Sequence, residues 1–212
     1  MNASPTILLA SRSARRQRLL DEAGLPHVAE APGFEDGALE PGTATPRGWV
    51  ASLAYLKAWA GAHKPSALEG GGRLVIGADT TCVMNGRMIG TPRDPEEARG
   101  MLRAFRNTEH EVLTGVALID LRGFAGSLAE LPPRRTRVFV DSASVRWGNV
   151  DDAAIEAYVE GGAWQGKAGA YNLAERLEAG WPIVWSGDPT AVMGLPMEKL
   201  GRALAAMQVG SD

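Results

Sequence analysis

The sequence predicts an α/β fold, one mixed β-sheet flanked by helices and arranged as two lobes. Three observations predict it. Short apolar runs of β-type residues alternate along the chain with stretches whose apolar residues recur at helical spacing. The 212 residues are 45% hydrophobic and 22% charged, ordinary for a folded chain that can bury a sizeable core. No fixed-period repeat, low-complexity tract or long linker divides the chain, so residues 1–212 are read as a single domain.

Residues 5–10 form an apolar run that breaks at Ser11-Arg12-Ser13, and residues 14–23 follow with Leu19, Leu20 and Ala23 on one side. Strand, polar turn and helix are expected. Arg15, Arg16 and Arg18 crowd the first turns of that helix, where cations oppose the helix dipole unless an anion is near. Gly24 and Pro26 close it, and residues 33–46 read as a polar loop carrying the carboxylate pair Glu35-Asp36. Residues 46–62 are the next helix, with a stripe of Trp49, Leu53, Leu56 and Ala60 and with Lys57 one position off it. Leu74-Val75-Ile76 is a buried-strand run ending at Gly77-Ala78-Asp79, which sets Asp79 at a strand's carboxyl end. Asn85-Gly86 between Val83-Met84 and Met88-Ile89 suits a tight hairpin turn. A helix (95–105), a long strand (109–121), a connection (123–135) and a further strand (136–147) follow. Helices at 151–159 and 196–207 bracket a Gly-rich stretch and a strand around 183–185.

With 22 basic and 25 acidic residues the net charge is −3, so no overall positive field draws nucleic acid or an anionic membrane. Any cationic function is local. The single cysteine, Cys82, can form neither an intramolecular disulfide nor, by itself, a zinc site, which fits a reducing compartment. No apolar stretch approaches the roughly 20 residues that span a bilayer, and no signal-peptide pattern opens the chain. A cytoplasmic protein is expected. His27, His63 and His110 are too dispersed for a metal triad. Dinucleotide-binding glycine fingerprints, Walker loops and nucleophile elbows are absent, which removes Rossmann oxidoreductases, P-loop NTPases and α/β-hydrolases.

Several constellations could carry chemistry. Ser11-Arg12-Ser13-Ala14-Arg15-Arg16 at a strand-to-helix turn combines free peptide N–H groups, hydroxyls and guanidinium forks, the makings of a phosphate cradle; the plainer reading is a solvated first turn capped by Ser13. Asp79 can hold a divalent cation, polarise a water or merely cap a turn. Lys57 either snorkels to water or faces the same cleft as Arg15 and Arg16. Lys167 precedes Ala168-Gly169-Ala170-Tyr171, small residues that let a ligand approach the backbone, or a plain surface turn.

Together these segments resemble the Maf family of nucleoside triphosphate pyrophosphatases, from residue 7 to about residue 204. The resemblance rests on an ordered set of blocks: Leu9-Ala10-Ser11-x-Ser13-x-Arg15-Arg16, Leu53-Ala54-x-x-Lys57-Ala58, Gly77-Ala78-Asp79-Thr80, Lys167-Ala168-Gly169-Ala170-Tyr171, and the shorter Gly90-x-Pro92-x-Asp94, His110-x-Val112-x-Thr114-Gly115 and Val192-x-Gly194-Leu195-Pro196. It implies an elongated mixed sheet flanked by helices, with two lobes and a central cleft of the Maf/ITPase-like kind. It further implies a cytoplasmic homodimer that hydrolyses a nucleoside triphosphate to the monophosphate and pyrophosphate. By motif, Asp79 is the proton acceptor or metal-linked carboxylate, and Arg15 and Thr80 select substrate. Ser11, Arg16, Lys57 and Lys167 hold phosphate. Glu35-Asp36 resembles the family's Asp-Glu pair in reversed order and joins Asp79 as a candidate metal site.

Water attacking the α-phosphorus must lose a proton while charge gathers on phosphate oxygens, so a carboxylate, a divalent ion and cationic side chains belong together. Oxygen donors suit Mg²⁺, with Mn²⁺ the second candidate. Three departures stand out: Thr91 replaces the family's lysine, with Arg93 two residues on; Ala174, beside Glu175, replaces a Gln that helps select the base; and Ala14 replaces a Pro. Asp79-Thr80 resembles the branch acting on dTTP and UTP, whereas the branch acting on 7-methyl-GTP carries Asp-Gln. A pyrimidine or a modified nucleotide is the expected substrate. The alternative is a non-catalytic nucleotide-binding regulator of cell division, suggested by the family's link to septum formation. Nucleic-acid binding through Arg134-Arg135 is disfavoured by the acidic balance and the lack of interleaved aromatic residues.

Overall fold

Strands form where β-branched and apolar residues cluster, and they join edge to edge. The computed structural model describes residues 7–33 and 39–209. Seven strands make one mixed sheet: β1 (Ile7–Ala10), β2 (His27–Glu30), β3 (Leu74–Met84), β4 (Arg87–Ile89), β5 (Glu109–Asp120), β6 (Thr136–Trp147) and β7 (Ile183–Gly187). The order is β2-β1-β3-β5-β6-β7, parallel from β2 to β3 and antiparallel beyond, with β4 folded back on β3. The helices are α1 (Ala14–Glu22), α2 (Pro46–Ala62), α3 (Pro65–Leu68), α4 (Pro95–Phe105), α5 (Asp152–Glu160), α6 (Leu173–Glu178), α7 (Pro189–Val192) and α8 (Met197–Val209). No helix among the described residues is long and apolar enough to cross a membrane.

The near half of the sheet is covered on both faces. Leu9, Leu20, Ile76, Val116 and Leu200 pack with α1 and α8 on one side, and Leu8, Ala54, Ala58, Val75 and Ile119 pack with α2 on the other. The far halves of β3, β5 and β6 belong to a separate core with α4 and α5, built on Cys82, Leu102, Phe105, Val112, Trp147 and Ile155. Two lobes therefore share the same long strands.

The structure corrects the position of Asp79. It does not end a strand; β3 runs through it to Met84, and Asp79 pairs across to Gly115 on β5. What ends is the neighbour. β1 pairs with β3 as far as Leu9↔Ile76, and β4 takes up the same edge only from Cys82. In between, no strand among the described residues pairs with that edge of β3, and Asp79 and Thr80 sit in that gap on opposite faces of the pleat.

The stripe expected on α2 is also corrected. Leu56 is 40% exposed, and the buried face is Val50, Leu53, Ala54, Ala58, Gly61 and Ala62. Its small side chains are used because the helix lies on bare sheet backbone: a Cβ at Gly77 would fall 2.3 Å from the Ala54 carbonyl oxygen, and one at Gly115 2.3 Å from that of Val50. Lys57 thereby turns toward the sheet. β2 and α6 were not anticipated; both are short and neither carries a clear apolar period.

Candidate active site

Asp79 lies two residues beyond Gly77 on the face that α2 covers, so the close helix–sheet approach sets Lys57 above it. Lys57 Nζ donates to Asp79 Oδ1 at 2.6 Å, with the side chains 15% and 13% exposed. A pair this deep keeps its attraction, because little solvent screens it, and each charge needs the other. Among the described residues no hydrogen bond reaches Asp79 Oδ2, which leaves that oxygen for a water or a cation.

The turn between β1 and α1 forms the second wall. Ser13 caps α1, and the first turn of the helix carries no acidic residue. Ser11 is buried, its Oγ accepting from the Ser13 N–H at 3.2 Å and from Arg16 Nη1 at 3.2 Å. Arg16 also donates through Nε to the Gly194 carbonyl at 2.7 Å and through Nη2 to Thr80 Oγ1 at 3.2 Å. Its fork is committed to protein, so Arg16 ties the α1 turn to β3 and to the segment after α7. The direction of the next bonds follows from proton counting. Thr114 donates to the Ala191 carbonyl at 2.7 Å, so in its 2.8 Å contact with Thr80 it must accept. Thr80 spends its one proton on Thr114 and can offer a substrate only a lone pair.

Arg15 differs from Arg16. Its half-buried guanidinium lines the cleft and has no hydrogen-bond or ion-pair partner among the described residues. Burial pushes its pKa below the ordinary guanidinium value, and Glu175, Tyr158 and Cys82 oppose that shift. An anion would relieve it.

Lys167 enters from the opposite lobe. Its loop is pinned by Gly169 N–H to the Gly90 carbonyl at 2.9 Å, by Tyr158 hydroxyl to the Ala170 carbonyl at 2.9 Å, and by Tyr171, whose hydroxyl meets His110 Nε2 at 2.8 Å. Lys167 Nζ donates to Glu175. Ala174 lies next to Glu175 on α6 but lines neither cavity described below; Glu175 does. Thr91 reaches the cleft, whereas Arg93 is drawn away, its Nε donating to Glu97 at 3.0 Å, so Arg93 does not replace the missing lysine. Cys82, Val112 and Tyr171 form an apolar end of the cleft that sequence reading missed. The alternation of β3 and β5 could have marked Cys82 and Val112 as facing the same side.

Two cavities, of about 280 Å³ and about 890 Å³, share Ser13, Arg15, Arg16, Lys57 and Gly166 as walls and form one cleft between the lobes. The larger lies within the range of small-molecule sites, roughly 300–1,000 Å³, and the smaller just under it. A family model described as Maf-like protein matches residues 6–207. The chain belongs to the Maf family. It is 41% identical over 93% of its length, and 94% of the other chain, to a protein of Pelotomaculum thermopropionicum named dTTP/UTP pyrophosphatase. Proteins of the same name from Salinibacter ruber and an Anaeromyxobacter species are 36% and 37% identical, over 97% and 93% of this chain and 93% and 87% of theirs.

The Maf blocks around Ser11, Lys57, Asp79 and Lys167, dispersed in sequence, meet at this one cleft. Of the candidate metal set, Glu35 and Asp36 lie outside the described residues. Among the described residues no group of three or more His, Cys, Asp or Glu could hold a metal ion. Asp79 with one open oxygen nevertheless suits Mg²⁺, which commonly binds through one or two carboxylates together with substrate phosphates and waters.

Proposed function

We propose that this protein hydrolyses nucleoside triphosphates, dTTP and UTP foremost, to the monophosphate and pyrophosphate. The names of its relatives support the substrate class. The observation that carries the reading is the buried Lys57–Asp79 pair at 2.6 Å opening onto the same cleft as the Arg15 guanidinium, which pairs with none of the described residues.

In this reading Arg15, Lys167 and the peptide N–H groups at the start of α1 hold the phosphate chain. Asp79 takes a proton from water as the water oxygen bonds to the α-phosphorus. The bond from that phosphorus to the bridging oxygen breaks, and pyrophosphate leaves with the electron pair. Lys57 fixes the orientation of Asp79 through the 2.6 Å bond. Arg16, Ser11 and Thr80 keep the α1 turn in register with β3. A divalent cation, Mg²⁺ or Mn²⁺, held by Asp79 and by the Glu35-Asp36 pair of the Maf pattern, supplies charge neutralisation at the phosphates when bound. Ala174 offers the base no hydrogen bond and Thr80 no proton, so base selection rests on Arg15 and the apolar end of the cleft.

A homodimer is part of the proposal, and light scattering in solution tests it. The cytoplasm is the proposed compartment, compatible with a lone, buried, unpaired Cys82. Pyrophosphate release across a nucleotide panel, with Mg²⁺, Mn²⁺ or chelator, tests the activity. Release from dTTP and UTP with metal is expected. Tight nucleotide binding without pyrophosphate release would overturn the reading in favour of the regulator.

A further inference from the structure

Glu175 stands on the cleft wall with no part in that chemistry, yet it is carefully held. One carboxylate oxygen accepts from Lys167 Nζ and the other from Asn172 Nδ2 at 2.9 Å. Asn172 is 8% exposed and caps α6, so the carboxylate is oriented from beneath by a buried group. Lys167 is 14% exposed and Glu175 40%, so the pair lies at the cleft surface. Glu175 is also the foremost group opposing the burial-driven fall in the Arg15 pKa. An internal carboxylate thus serves two cations that, in the function proposed above, await phosphates.

Resting on that reading, we propose that Glu175 is an intramolecular competitor with phosphate for Lys167, and that it loosens the hold on pyrophosphate so that product leaves. A half-exposed ion pair is weak, and an incoming triphosphate with several charges displaces a single carboxylate. After cleavage the balance shifts. Pyrophosphate is held by fewer contacts than the whole nucleotide, while Glu175 is tethered beside Lys167 and rebinds it at high effective concentration. Lys167 returns to Glu175 as pyrophosphate departs, a step of the kind that often limits turnover.

Titration calorimetry with inorganic pyrophosphate on the full chain tests this, with circular dichroism confirming the fold of each variant. Glu175→Gln removes the charge and keeps one acceptor oxygen, enough for Lys167 or Asn172 but not for both. Its pyrophosphate Kd should fall about fivefold, and product inhibition should strengthen. Glu175→Ala should move the same way. Lys167→Ala should weaken pyrophosphate binding at least about tenfold, and in the Lys167→Ala background the Glu175→Gln effect should shrink to the part that acts through Arg15. Unchanged or weaker binding by both Glu175 variants, with Lys167→Ala still weakened, overturns this inference alone. Wild-type affinity in Lys167→Ala would overturn it together with the proposed phosphate role of Lys167.

Discussion

At the residue scale the Arg15 guanidinium, half removed from water and without an ion-pair partner among the described residues, is an unfinished ion pair. Arg15→Ala should raise KM for dTTP about 10- to 100-fold, the usual worth of charge-assisted hydrogen bonds. Arg15→Lys should fall between, since it restores the charge without the fork. Steady-state kinetics on the three proteins checks both. His110 makes a prediction about pH. Its ring stacks on Phe105 at 4.0 Å between centroids and meets the Tyr171 hydroxyl, and burial lowers its pKa from 6.5 to about 4. Below pH 6.5 the unfolded chain takes a proton that the folded chain refuses until about pH 4. The stability this group contributes is therefore intact above pH 6.5 and lost as pH falls from 6.5 toward 4, by up to about 3 kcal/mol. Melting temperatures of wild type and His110→Gln across that window should converge toward acid, as the variant lacks this part of the slope. Parallel curves would contradict the assignment. Ser11, Arg15, Lys57, Asp79 and Lys167 were legible in the sequence because their chemical types cluster in short blocks. Two things were not: that Arg16 spends its fork on Ser11, Thr80 and Gly194, and that Thr80 spends its proton on Thr114, since each bond joins segments far apart in the chain.

At the scale of elements, α2 and β3 decide where the site lies. Gly77 and Gly115 let the helix rest on the sheet, and only at that spacing does Lys57 reach Asp79. Gly77→Ala should push α2 outward, cost about 1–3 kcal/mol as overpacking does, and lower activity more than the loss of folded protein explains. Calorimetric melting with kinetics on the folded fraction checks this, and wild-type activity at reduced stability would contradict it. The bounds of α2 and α4 match those expected from helical spacing, and Asn85 and Gly86 form the hairpin turn with positive φ at both. The buried face of α2 was misread because alanines pack there, and their weak apolar signal yields to Trp49 and Leu56 in any periodicity argument. Asp79 was misread as a strand end for a related reason: Gly77 and the polar residues 79–81 look like a break, whereas the break belongs to β1 on the neighbouring strand.

At the scale of the molecule, β3, β5 and β6 run through both lobes and leave the cleft where one edge of β3 lacks a partner strand among the described residues. Alternating strand and helix signals were enough to foresee a mixed sheet with two lobes. Which blocks would share a cleft was not readable from spacing, because it depends on β1 and β4 stopping short on the same edge of β3. That juxtaposition gives the molecule one place where a carboxylate, a lysine held against it and an unpaired arginine can act on one phosphate chain. The Asp79→Asn variant tests it most directly, with pyrophosphate release followed at saturating dTTP and Mg²⁺. A fall in kcat of at least about 100-fold is expected, the loss that goes with a missing proton acceptor, with the fold intact. Undiminished release would contradict it.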